Sequence, residues 1–175
     1  MLIRTALVCF TLAHAIAQPR RSPEFQIHTL NGASIKLAQY TGKVVIIEFL
    51  LTTCPHCQHV ATLLKKLQLE YGPERLQVLG CAVEESAPAR VGAFVAQFDP
   101  PFPVGFADRN ATNAYLEHDP KALLKMPQVV FIDKAGVKRA TYVGDDPFFA
   151  KDDEANIRKQ IDKLSREAVP ISRSR

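Results

Sequence analysis

The apolar positions of this chain follow two alternating patterns. Residues 43–51 carry an almost unbroken run, Val-Val-Ile-Ile-Glu-Phe-Leu-Leu after Lys43. The run is rich in β-branched residues and bounded by Gly42 and Pro55, as suits a strand buried on both faces. Directly after it the period changes. Val60, Leu63, Leu64, Leu67 and Tyr71 recur at i, i+3, i+4, i+7 and i+11, the stripe of an amphipathic helix. Gly72-Pro73 ends that helix. Residues 76–83 form a second apolar run. A strand, a helix and a second apolar strand in this order predict a βαβ unit with parallel pairing.

The flanks are shorter and more polar. Residues 25–30 predict a short strand, Asn31-Gly32 a turn, and Ile35 and Leu37 an alternating segment before Thr41-Gly42 turns again. Residues 88–98 predict a helix with Val91, Phe94, Val95 and Phe98 on one face, broken by Pro100-Pro101-Phe102-Pro103. A short helix is predicted over 108–117. Residues 128–133 and 137–143 read as strands joined by Lys134-Ala135-Gly136, hence an antiparallel hairpin. Residues 150–167 predict a charged terminal helix with Ile157, Ile161 and Leu164 inward. The order is β–α–β, a helical stretch, then ββα, which is an α/β fold around a mixed sheet.

Composition bounds the function classes. The chain has 175 residues, 47% hydrophobic and 23% charged, which suits one globular domain and excludes a disordered chain. The formal charge of +4 is mild and its basic residues are scattered, so no nucleic-acid partner is expected. Residues 1–17 read as a secretory signal peptide: Arg4, a largely apolar stretch, then Ala15-Ile16-Ala17 as an A-x-A cleavage pattern. The apolar stretch is short of the roughly 20 residues a bilayer span needs. Residues 18–24 are expected to be a flexible leader, 25–169 the domain and 170–175 a flexible tail. No membrane span is expected after cleavage. The mature protein is expected to be exported, periplasmic or secreted, and monomeric. Cys9 lies within the apolar stretch and is given no role. Cleavage leaves Cys54, Cys57 and Cys81.

The chemistry concentrates at Cys54-Pro55-His56-Cys57, where the buried strand gives way to the helix. This spacing puts two sulfurs one turn apart. Free N–H groups and the partial positive charge of a helix N-terminus favour thiolate over thiol. Cys54, the first and more accessible, is the expected nucleophile and Cys57 the resolving thiol, the two closing a redox disulfide. Pro55 suits an early helical position, where a missing N–H costs nothing. A protonated His56 would stabilise the thiolate and make the disulfide more oxidising. A structural disulfide would link distant segments, and a zinc site would need about four ligands, whereas no second such motif exists here. Glu48, six positions before Cys54 in an apolar strand, is expected to be partly buried with a raised pKa. Cys81 reads as an inert buried thiol. His28 and His118 read as surface residues, and His59 as a solvated helix histidine.

The motif in this strand–helix context resembles the thioredoxin superfamily, most closely the exported TlpA-like thiol-disulfide oxidoreductases. The resemblance covers about residue 24 to the end. It includes Gly42-Lys43-Val44-Val45, the Cys54–Cys57 motif, Pro127 before a strand, Asp133-Lys134-Ala135-Gly136 at the hairpin, and Gly144 after it. It implies that Pro127 is cis and lies against the active-site pair. It further implies that Met126 offers backbone bonds to a bound substrate segment, in a groove that Thr53 and Pro55 also line. By the same resemblance Glu48 is the proton acceptor for Cys57, acting through water. Two departures matter. Thr53 stands where family members often carry Trp, and Pro-His is the dipeptide of the strongly oxidising DsbA-type enzymes. The latter pulls the expected potential from about −270 mV toward about −120 mV.

The function expected is therefore disulfide exchange with partner proteins, with no bound cofactor, no metal, and an unidentified protein as redox partner. A peroxiredoxin-like peroxidase is a second reading. Its family carries Thr or Ser three residues before the reactive Cys and Pro seven before, where this chain has Leu51 and Ile47. A third is a copper-binding module drawing on Cys54, Cys57, His56 and His59.

Overall fold

The computed structural model describes residues 21–167. The signal peptide, Cys9, the start of the leader and the 170–175 tail lie outside the described residues. Seven strands form one mixed sheet: β1 (Gln26–His28), β2 (Ser34–Lys36), β3 (Val44–Leu50), β4 (Leu76–Ala82), β5 (Val104–Phe106), β6 (Gln128–Ile132) and β7 (Lys138–Val143). Five helices accompany them: α1 (Pro55–Tyr71), α2 (Ala87–Phe98), α3 (Arg109–Leu116), α4 (Pro147–Ala150) and α5 (Asp153–Arg166). The sheet order is β2-β1-β5-β4-β3-β6-β7.

The βαβ unit forms as its periodicity dictates. β3 and β4 pair in parallel from Val44↔Leu76 to Leu50↔Ala82, with α1 as the crossover. Every residue of β3 is buried, because the central strand is covered on both faces. Val44, Ile46 and Leu50 face the layer of α1, α2 and α5, where Val60, Leu64, Val91, Ile157 and Ile161 pack. Val45, Ile47 and Phe49 face the opposite layer with Tyr115 of α3, Phe25 and Cys81. Strand alternation puts Glu48 on the α1 face.

Four elements depart from the sequence reading. β5 follows the proline break at 100–103 and is not signalled by any run of its own. It pairs with β4 in parallel and meets β1 at His28↔Phe106. Gly105 permits this approach: a Cβ there would lie 2.2 Å from the His28 carbonyl oxygen. Gly105→Ala is expected to destabilise the protein by about 1–3 kcal/mol, read as a lower urea midpoint with an unchanged slope. Val95 is exposed rather than on the buried face of α2, where Val91 and Phe94 carry the contact. Leu37 lies in a 3-10 turn over Leu37–Tyr40, not in the alternating strand. The terminal helix starts at Asp153 rather than at residue 150, because Asp152 takes a left-handed φ of 55° that separates it from the short α4.

Of the leader, residues 21–24 are described, and they lie along the β6–β7 hairpin. Arg21 bridges Val137, and Ser22 donates its N–H to the Gly136 carbonyl at 2.7 Å. Ser22 also meets the hydroxyl of buried Tyr115 at 2.8 Å. Burial raises the pKa of that hydroxyl to about 12.

Candidate active site

β3 ends at Leu50, and four residues later Cys54 caps the N-terminus of α1 in an extended conformation. Pro55 occupies the first turn of α1, and the Gln58 N–H closes on the Cys54 carbonyl at 3.0 Å. Helix geometry turns Cys57 inward and leaves Cys54 at the rim. Cys57 is fully buried, Cys54 is partly exposed, and both are free thiols. Thr53 and Pro55 are exposed beside them.

The surroundings divide the two sulfurs chemically. Burial pushes the Cys57 pKa far above the ordinary thiol range, opposed by the Leu51 N–H, which points at its sulfur from 3.5 Å. The neighbouring Cys54 thiol and Glu48 push in the same direction as burial. Glu48 is completely buried, not partly as its sequence position suggested, and neither of its carboxylate oxygens has a hydrogen-bond partner. Burial raises its pKa well above the carboxylate range, and Cys54 adds to the effect. Strand alternation explains the placement: Glu48 shares the face of β3 that carries Leu50, against which α1 lays Cys57.

The other side of the site is built from the β6 end. The Met126–Pro127 peptide is cis, and Pro127 is buried beneath a half-exposed Met126. Gly144, just past β7, backs this peptide so closely that a Cβ would stand 2.7 Å from the Met126 carbonyl oxygen and 2.8 Å from Pro127 Cδ. Lys125 and Asp145 form an ion pair across the same two segments. The His56 ring is half-buried and meets Phe149 of α4 edge to face, with centroids 5.6 Å apart and planes at 89°.

Three residues escaped the sequence reading. Thr52, two positions before Cys54, is buried. Its N–H donates to the Glu84 carboxylate at 3.0 Å, its hydroxyl donates to the same oxygen, and its carbonyl accepts from Gln58 Nε2 at 2.9 Å. The signal for this pairing was the βαβ register. Thr52 and Glu84 lie two residues beyond the pair Leu50↔Ala82 on adjacent parallel strands. Phe149 carried no signal, since it belongs to a four-residue helix outside any periodic run.

His59 is exposed, and its Nε2 lies within hydrogen-bond distance of Asp153 Oδ2 of α5, at 2.8 Å. Among the described residues no group of three or more His, Cys, Asp or Glu side chains is placed to hold a metal ion. Cys81 is buried on the opposite face of the sheet, where burial holds its thiol proton far above the ordinary range. Among the described residues no helix is long and apolar enough to cross a membrane.

A mixed sheet carrying a two-residue-spaced thiol pair at the β3–α1 junction, with a cis proline directly before the neighbouring strand β6, defines a thioredoxin-like thiol-disulfide oxidoreductase. The chain belongs to the Redoxin family, which matches residues 18–161. It is 28% identical over 131 residues to the thioredoxin-like protein YneN of Bacillus subtilis, covering 74% of this chain and 73% of that protein. It is 28% identical over 137 residues to the thiol-disulfide oxidoreductase ResA of Geobacillus thermodenitrificans, covering 77% and 74% respectively. The fold is shared with a thiol:disulfide interchange protein of the thioredoxin family from Chlorobium tepidum. That structure superposes with a TM-score of 0.71 at 22% identity, covering 86% of this chain and 99% of that one.

Proposed function

We propose that this protein exchanges disulfides with partner proteins in an exported compartment, with Cys54 as nucleophile and Cys57 as resolving thiol. One observation carries the assignment: the two sulfurs differ in access, Cys57 being fully buried and Cys54 partly exposed. In the reductive direction the Cys54 thiolate attacks one sulfur of a partner disulfide. An S–S bond forms between Cys54 and the partner, and the partner's second sulfur leaves as a thiolate. Cys57 then gives up its proton and attacks the Cys54 sulfur, forming the Cys54–Cys57 bond and releasing the partner's first sulfur. Both partner sulfurs end as thiols and the two protein thiols as a disulfide. The reverse sequence oxidises a partner dithiol.

Glu48 accepts the Cys57 proton through water. Its raised pKa supports this role, since a carboxylate shifted toward the thiol range transfers a proton with less mismatch. Thr53, Pro55 and the Met126 backbone line the docking groove, and Pro127 presents Met126 to it. Export is supported by the signal-peptide pattern of residues 1–17.

His56 stabilises the Cys54 thiolate, which favours the dithiol and raises the potential. The experiment is a titration of the mature chain in glutathione buffers, with trapped thiols counted by mass. A potential above about −150 mV is expected. His56→Ser is expected to lower it by about 30 mV or more, a tenfold change in the exchange equilibrium. An unchanged potential removes His56 from the account. A pair that does not cycle at all overturns the exchange reading.

A further inference from the structure

Thr52 is held at each of its polar groups although it does no chemistry itself. Its N–H and its hydroxyl both donate to Glu84 Oε1, and its carbonyl accepts from the Gln58 amide. On one side of it the Leu51 N–H points at Cys57 Sγ from 3.5 Å. On the other, the Cys54 N–H turns back to the Leu51 carbonyl at 3.0 Å. Residues 51–54 are thus a short backbone bracket that touches both sulfur-bearing residues. The anchor of that bracket outside α1 is a side chain 32 residues away, at the end of β4.

The anchor is not placed by chance packing. Two donors converge on Oε1, while Oε2 is buried with no hydrogen-bond partner. A buried carboxylate oxygen left in this way is unfavourable, so the site retains Glu84 at a cost in stability. Two hydrogen bonds to one charged acceptor are strong, directional restraints on the peptide that carries the Thr52 N–H. That peptide also carries the Leu51 carbonyl, which accepts the Cys54 N–H at 3.0 Å, and it adjoins, across the Leu51 Cα, the peptide whose N–H points at Cys57 Sγ. The Leu51 N–H is the backbone group that favours the thiolate form of Cys57.

We propose that Glu84 is a positioning residue for the resolving step. Through Thr52 it holds the Leu51 N–H on Cys57 Sγ, where negative charge develops as Cys57 attacks Cys54. The role rests on the reading that Cys54 forms the mixed disulfide and Cys57 resolves it. In the step concerned, the Cys57 S–H proton leaves, the Cys57–Cys54 S–S bond forms, and the bond between Cys54 and the partner sulfur breaks. The partner leaves as a thiolate and takes up a proton.

The test uses oxidised glutathione as probe against the reduced full chain. Samples are acid-quenched through a single turnover and counted by mass. The glutathione adduct on Cys54 forms first and is consumed in the second step. Glu84→Ala is expected to lengthen the adduct lifetime at least tenfold, with adduct formation changed less than threefold. Glu84→Gln keeps an acceptor oxygen for Thr52 and is expected to restore the lifetime to within twofold of the parent. If Glu84→Ala does not fold, Thr52→Val removes one of the two donors and is expected to lengthen the lifetime about threefold. An unchanged lifetime in Glu84→Ala, or in Thr52→Val where that variant stands in, overturns the proposal. So does a Glu84→Gln protein as slow as Glu84→Ala, since charge rather than the held peptide would then be responsible. A parent chain that never forms the Cys54 adduct overturns the exchange mechanism itself, an outcome distinct from an adduct that forms and resolves at the parent rate in every variant.

Discussion

Cys57→Ser is expected to stop the reaction halfway. Mixed with a disulfide substrate, the variant should accumulate the Cys54 mixed disulfide and release one equivalent of thiol. Cys54→Ser should form no adduct at all. Turnover should fall by about 10³-fold or more in both, because the nucleophile and the resolving thiol act as a unit. The asymmetry follows from burial. Cys57 has no accessible surface, so a protein disulfide cannot reach it, whereas Cys54 stands at the rim of α1. The opposite pattern, an adduct on Cys57 in the Cys54→Ser protein, would reverse the roles. Mass spectrometry of the acid-quenched variants reads the site directly.

Replacing Glu48 should move stability and rate in opposite directions. A completely buried carboxylate without a hydrogen-bond partner is retained against its desolvation cost. Glu48→Leu is expected to raise stability at neutral pH by about 1–3 kcal/mol while slowing exchange on the order of 10²-fold. The pH dependence has a definite sign. The folded protein binds the Glu48 proton more tightly than the unfolded chain does, because burial raises the folded pKa above its ordinary value of 4.5. The contribution is therefore fully present below about that value and is lost as pH rises through the folded pKa. Urea midpoints measured across this range should decline in the parent protein and stay flatter in Glu48→Leu. Equal slopes in the two proteins would show that the fold does not raise the Glu48 pKa. Gain of stability with loss of rate is the trade expected of a residue kept for chemistry.

The elements around the pair come from separate parts of the chain. β3 and α1 place the sulfurs, and Glu48 faces them from within the sheet. Met126–Pro127, backed by Gly144 and tied by Lys125 to Asp145, leads into β6, which pairs with β3 at Gln128↔Phe49. Phe149 closes against His56 from α4.

Much of this was legible in the chain. The unbroken apolar run of residues 43–51, the stripe beginning at Val60 and the second run at 76–83 specify a βαβ unit, because periods of 2 and 3.6 are local properties. The thiol pair at the strand–helix junction followed from the same reading. So did the hairpin after Pro127 and the burial of Ile157, Ile161 and Leu164. β5 was not legible. Its three residues have a glycine at the centre and follow four residues of which three are prolines, so it is a strand only because β4 and β1 flank it. Val95 shows the same limit from the other side: its spacing fits the buried face of α2, but Val91, Phe94 and Phe98 carry the contact and Val95 is left exposed.

By itself, then, the sequence determined the βαβ unit, the β6–β7 hairpin and the terminal helix, and where the two reactive sulfurs sit in the chain. The tertiary structure alone decided that Cys57 is sealed while Cys54 is open, and that Glu48 is left without a partner. It alone brought Thr52 to Glu84 and His59 to Asp153, pairs 32 and 94 residues apart. The physical reason is that periodicity and helix-end chemistry act within a few residues. Burial, desolvation and hydrogen-bond partnership depend instead on which distant segments the sheet register and helix packing bring together.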